Sequence, residues 1–161
     1  MQLTGVEPAL DQCATLLARA RALKIPVLHI QHDAGPGTPY DVRAEIGAIA
    51  DKVAPANGEA VVVKNYPNSF IGTDLDERLK AAGVRNLVVT GFMTHMCINS
   101  TARGAFNLGY AVTVPAAATA TRPLAGPDGS VVSAESLQAA ALAALGDLFA
   151  VVVPNEAAIG D

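Results

Sequence analysis

The chain is poor in several residue types. It has no tryptophan and only two cysteines among 161 residues, and aromatic residues make up 4%. Charged residues are 16%, the net charge is −4 and the pI is ≈ 5.3, with no run of Lys or Arg. Such a chain lacks the electrostatic footprint for nucleic acid or an anionic membrane. Apolar runs are short and broken by Gly, Pro or charge, so no transmembrane helix is expected. The opening MQLTGVEPAL has neither the basic nor the apolar region of a secretory signal. Cys13 and Cys97 make no disulfide framework, and a reducing cytoplasm is the expected compartment.

What is present is apolar material: 51% hydrophobic residues and a mean hydropathy of +0.33, enough to build one buried core. Residues 1–161 read as a single domain of alternating helices and strands. Leu10, Cys13, Leu16, Leu17, Ala20 and Leu23 recur at helical spacing over Glu7 to Leu23. IPVLHIQ, residues 25–31, reads as a buried strand with Pro26 at its start. A Gly/Pro-rich loop and a weakly helical VRAEIGAIADKV follow, then the strand AVVVK at 60–64. Thr73 to Gly83 has acids in its first turn and a glycine stop, which predicts a helix.

Asn86 to Thr90 reads as the third strand and Thr94 to Leu108 as the next helix, ended by Gly109. Tyr110 to Pro115 is the fourth strand, Ser133 caps a helix to about Leu148, and AVVVP closes with a fifth. Short apolar strands separated by helices predict a three-layer α/β/α sandwich around a mostly parallel, Rossmann-like sheet. Ligands in such a sheet sit at the carboxyl ends of the strands. Those ends include His29 to Asp33, Lys64 to Phe70 and Gly91 to Cys97.

Cys97 lies where the strand LVVT turns through GFMT into a helix. With Thr94 as N-cap, free amides and the positive end of the helix dipole would favour a thiolate there. The thiolate is the nucleophilic form of cysteine, and the same amides can hold a developing oxyanion. Free cysteines are more often buried core residues. Cys13, on the apolar stripe of a helix, fits that plain reading; Cys97, at a strand-to-helix turn, does not. Lys64 ends a strand that faces the expected site, although a lysine there can also snorkel to water.

The run GFMTHMCINSTARGAFNLGYAVTV, together with VVVKNYPNSFIGTDLDERLKAAGVRNLVVTG, resembles the isochorismatase-like cysteine hydrolases along essentially the whole chain. That family is a three-layer α/β sandwich using an Asp–Lys–Cys triad on amides, carbamoyl compounds or, without covalent chemistry, isochorismate. The resemblance implies Cys97 as nucleophile and Lys64 as the triad lysine. It also implies an oxyanion hole from the amides of Met93 and Cys97, and a cis peptide between Phe92 and Met93. The expected activity is hydrolysis of a small amide or carbamoyl compound through a thioester. Vinyl-ether hydrolysis, or an inactive oligomeric or binding protein, are the alternatives. A small-molecule substrate and a homo-oligomer are the implied partners.

The family's triad aspartate closes a central strand that should lie between IPVLHIQ and NLVVT, and no such strand is legible before the first helix. The recorded sequence beginning too late, a natural truncation, or substitution by another acid would each account for this. Asp33 is the best-placed substitute, although it also suits a turn before GPG. Ala117 stands where relatives show the Asp of an Asp-Ala pair. HIQHDAGPG does not match the metal motif of the nicotinamidase branch, so no metal or other cofactor is expected. Tyr66, Phe70, Met93 and Met96 are candidates for an apolar pocket wall, and His32 for a pocket-lining residue. His95 reads as a solvent-side helix residue and Arg103 as a structural ion-pair partner.

Overall fold

The computed structural model describes residues 2–160. Helix α1, Val6–Ala22, buries Ala9, Cys13 and Leu17, which recur every four residues along one face. Strand β1, Leu28–His32, starts two residues beyond Pro26, because a proline cannot donate to the ladder and biases its neighbour. Strand β2 is Ala60–Lys64 and runs parallel to β1, in a register that sets His32 beside Lys64 at the carboxyl ends.

The stretch expected to be weakly helical forms two single 3-10 turns, Glu45–Gly47 and Asp51–Val53. Ala48 between them is extended, and Ala54 leaves helical geometry ahead of Pro55. Helix α2 is Leu75–Ala81, with Gly83 in the left-handed region just beyond it at φ 67°.

The third predicted strand, Asn86 to Thr90, ends early at Val88, and a separate short strand follows it. Strand β3, Asn86–Val88, pairs with β5, Ala111–Pro115, whereas β4, Gly91–Phe92, pairs with β6, Thr119–Ala120. Gly91 sits at φ 111°, a conformation rarely open to other residues, and lets the chain change partner there. The predicted helix after it divides, into a π turn, Thr94–Ile98, and helix α3, Asn99–Asn107. Strands β7, Leu124–Ala125, and β8, Val131–Val132, form a small antiparallel hairpin.

Helix α4, Ala134–Gly146, is capped as its sequence predicts: Ser133 Oγ accepts from the Ser136 N–H at 3.2 Å. Strand β9, Val151–Val153, pairs with β5. The strands therefore assemble as β1–β2, β3–β5–β9 and β4–β6, all parallel, with helices on both sides. Among the described residues no strand pairs β1 with β3, which is where the resemblance calls for a central strand. The segment before α1 instead makes an isolated antiparallel bridge between Thr4 and Thr121.

The main core joins Val62 of β2, Leu75 and Leu79 of α2, Ile98, Ala102 and Ala105 around α3, Val112 and Val114 of β5, and Leu145 of α4. The face of α1 is buried apart from this cluster, against β4, β6 and the turn at residues 116–118. Among the described residues no helix is long and apolar enough to cross a membrane.

Candidate active site

Lys64 is the most unusual residue of the fold, a lysine only 3% exposed. A buried ammonium is expensive unless each proton finds an acceptor. Nζ donates to Cys97 Sγ at 3.3 Å and to the Tyr66 carbonyl at 2.9 Å, and it lies 3.1 Å from His32 Nδ1. An ammonium has three donors and no acceptor, and the structure sets three polar neighbours around it. No carboxylate is among the three. Of the three, Cys97 is the neighbour whose side chain is able to carry a negative charge.

The site joins three parts of the chain. His32 and Lys64 come from the register-paired ends of β1 and β2, and Cys97 from the π turn after β4. Cys97 is half-buried, open enough to meet a small molecule. The turn beneath it starts at Met93, which is buried and extended, and whose carbonyl accepts from the N–H groups of Met96 and Ile98. The Phe92–Met93 peptide is cis, as the resemblance implies. Thr94 does not cap the helix. It is fully buried inside the turn, and its Oγ1 has no hydrogen-bond partner among the described residues.

Two residues not selected from sequence stand close by. The Tyr40 ring meets His32 edge-on at 5.2 Å. Burial first, and then the negative charge of a Cys97 thiolate, push its phenol above the usual range. The positive charge of Arg122 reaches both Tyr40 and His95. Neither residue carried a sequence signal, since both lie in loops distant in the chain from the two motifs.

The other candidates are placed as follows. Tyr66 contributes its main-chain oxygen, while its side chain is 57% exposed. Phe70 stacks on Tyr110 at 5.9 Å and packs against the main core. Met96 is half-buried on the turn beside Cys97. His95 is not the solvent-side residue expected: Nδ1 lies 2.5 Å from Thr121 Oγ1, and Nε2 is buried without a partner among the described residues. Burial, and then the Arg122 charge, hold its imidazole below the ordinary range.

Asp33 is a turn residue. It accepts from the Gly35 N–H at 2.9 Å and from Arg43 at 3.0 and 3.1 Å. Arg103 bonds Asn99 at 2.8 Å and lies 3.9 Å over the Phe149 ring, a cation–π contact in place of the expected ion pair. Cys13 is a core residue whose thiol bonds the Ala118 carbonyl, and burial pushes its pKa up. Among the described residues no three His, Cys, Asp or Glu side chains converge as a metal site.

A half-open thiol thus lies against a buried lysine at the carboxyl ends of parallel strands. The Isochorismatase domain model matches residues 2–157, so the chain belongs to the isochorismatase family of hydrolases. It is 40% identical over 159 residues to the uncharacterized isochorismatase family protein YddQ of Bacillus subtilis, covering 98% of this chain and 88% of that protein. It is also 40% identical over 152 residues to a streptothricin hydrolase of Streptomyces noursei, covering 93% and 55% of the two. The crystal structure of an isochorismatase from Pseudomonas putida superposes with a TM-score of 0.93 at 35% identity, over 98% of this chain and 81% of that one.

Proposed function

We propose that this chain hydrolyses a small amide or carbamoyl compound through a thioester on Cys97. The observation that carries the reading is the 3.3 Å contact between the thiol of Cys97 and the buried ammonium of Lys64. Such a pair supplies a thiolate together with the proton that its reaction must deliver. The thiolate attacks the carbonyl carbon, and the π electrons move onto oxygen. The main-chain amides of Met93 and Cys97 are the proposed donors to that oxyanion.

Collapse of the intermediate breaks the C–N bond, and Lys64 gives a proton to the departing nitrogen. The products of this half are an S-acyl cysteine, a free amine or ammonia, and a neutral lysine. Lys64 then accepts a proton from water as its oxygen attacks the thioester, which releases the acid and restores the thiolate–ammonium pair. The streptothricin hydrolase relative is a hydrolase of the same family and is compatible with this class of reaction.

The test is turnover of a panel of small amides, ureido acids and N-carbamoyl compounds by wild type and Cys97→Ala, with intact-mass spectrometry of quenched reactions. We expect an acyl adduct on Cys97 in the wild type and turnover reduced by at least about a thousandfold in Cys97→Ala. Undiminished turnover in Cys97→Ala overturns the covalent scheme. Turnover of a vinyl ether with no adduct favours isochorismatase-type hydrolysis instead.

A further inference from the structure

We infer that His32 is a positioning residue of this site: its Nδ1 accepts a proton of the Lys64 ammonium and so holds Lys64 on Cys97. The inference takes Cys97 as the reacting thiol from the reading above, and it adds a residue that the two sequence motifs do not contain. Three observations carry it. His32 and Lys64 are register partners in a parallel strand pair, which directs their side chains to the same face of the sheet. Their nitrogens are 3.1 Å apart. The other two Lys64 donors are already used by Tyr66 and Cys97, so the three acceptors fix the ammonium in one orientation.

The chemistry of imidazole makes this contact conditional. Nδ1 accepts only while its ring is neutral with the proton on Nε2. A protonated His32 has no lone pair to offer and would place a second positive charge beside Lys64. The groups facing His32 are Lys64 from β2, Asp33 on its own segment and Tyr40 from the following loop. Asp33 is held by Arg43 and the Gly35 amide, and Tyr40 presents its ring rather than a charge. Burial first, and then the Lys64 charge, keep His32 below its ordinary titration range and therefore neutral near pH 7. His32 thus stands against Lys64 as a neutral acceptor.

The test reads the thiol itself, with iodoacetamide as probe and peptide mass spectrometry to separate Cys97 from the buried Cys13. Two variants of His32 are compared with wild type across pH 5 to 9. His32→Asn keeps an acceptor, since its Oδ1 occupies the place of Nδ1 but does not titrate. His32→Leu keeps bulk and removes the acceptor. At pH 7 we expect Cys97 alkylation to slow by at least ~5-fold in His32→Leu and to stay within ~2-fold of wild type in His32→Asn. Below pH 6 the wild-type rate should fall more steeply than that of His32→Asn, because only the wild type also loses its acceptor by protonation.

Wild-type rates and profile in His32→Leu overturn the inference. Equal losses in both variants also overturn it, because packing against Tyr40 would then be the whole role of His32. An amide panel without turnover counts against the proposed reaction and leaves this comparison intact. A wild-type Cys97 no more reactive than a free thiol counts against both.

Discussion

Replacing Lys64 with methionine separates what the buried cation does for the reaction from what it does for the fold. Two unit charges 3.3 Å apart attract by roughly 5 kcal/mol at an effective dielectric of 20. A tenfold change in an equilibrium or rate corresponds to about 1.4 kcal/mol. Loss of even a third of that attraction therefore slows Cys97 alkylation at pH 7 by about tenfold or more. The effect on stability has a different size. Methionine matches the lysine stem in length and removes the desolvation cost of an ammonium that is 3% exposed, worth several kcal/mol. Against this, the Tyr66 carbonyl and His32 Nδ1 lose a donor, at about 1 kcal/mol or more each. The two terms nearly cancel, so urea unfolding should give a stability within ~2 kcal/mol of wild type. The assay pairs the alkylation rate with the unfolding midpoint of the same preparation. An unchanged alkylation rate, or a loss of stability above ~4 kcal/mol, refutes the assignment of Lys64 to the thiol and makes it a structural residue.

Two further outcomes follow from the packing. An ideal Cβ on Gly47 would lie 2.2 Å from the Asp41 carbonyl oxygen, in backbone that cannot give way, and the Gly47 carbonyl also accepts from Gln31. Gly47→Ala should destabilise the chain by roughly 2 kcal/mol or more and speed proteolysis of the loop that carries Tyr40; an unfolding midpoint equal to wild type would refute this. Tyr110 is buried, and its phenol, pushed up to about 12 by burial and then by its bond to Asp76, titrates above the unfolded chain. The unfolded state releases this proton first, so the contribution is complete below pH 10 and is lost as pH rises through about 12. Tyr110→Phe should flatten the fall of stability between those pH values, as chemical unfolding at a series of alkaline pH values will report.

Strands β2 and β5 and helices α1 and α4 were legible because local pattern and burial agree in them: apolar periodicity, a serine cap, and valine runs with few polar interruptions. The predicted strand at 86–90 stopped at Val88 with a separate strand at 91–92, and the predicted helix at 94–108 divided. Their apolar pattern continues through Gly91 and Thr94, but pairing to β6 instead of β5 is a choice made by distant chain. Thr94 looks like a cap in sequence and is buried in a π turn, since cap propensity yields to the geometry of the turn at residues 94–98. Tyr66, read as a pocket wall, contributes its carbonyl, a group that every residue has and no sequence pattern marks.

Sequence alone determined the α/β class and, through resemblance, the family and the expected pairing of Cys97 with Lys64, because both residues sit in contiguous motifs. The third partner was decided in space. His32 faces Lys64 through a strand register that joins segments about 30 residues apart, and Tyr40 and Arg122 approach through loops whose course depends on packing. A motif records which groups carry reactivity along one stretch of chain. Which neutral acceptor holds the buried ammonium is set by register and burial, and these exist only after the strands have paired.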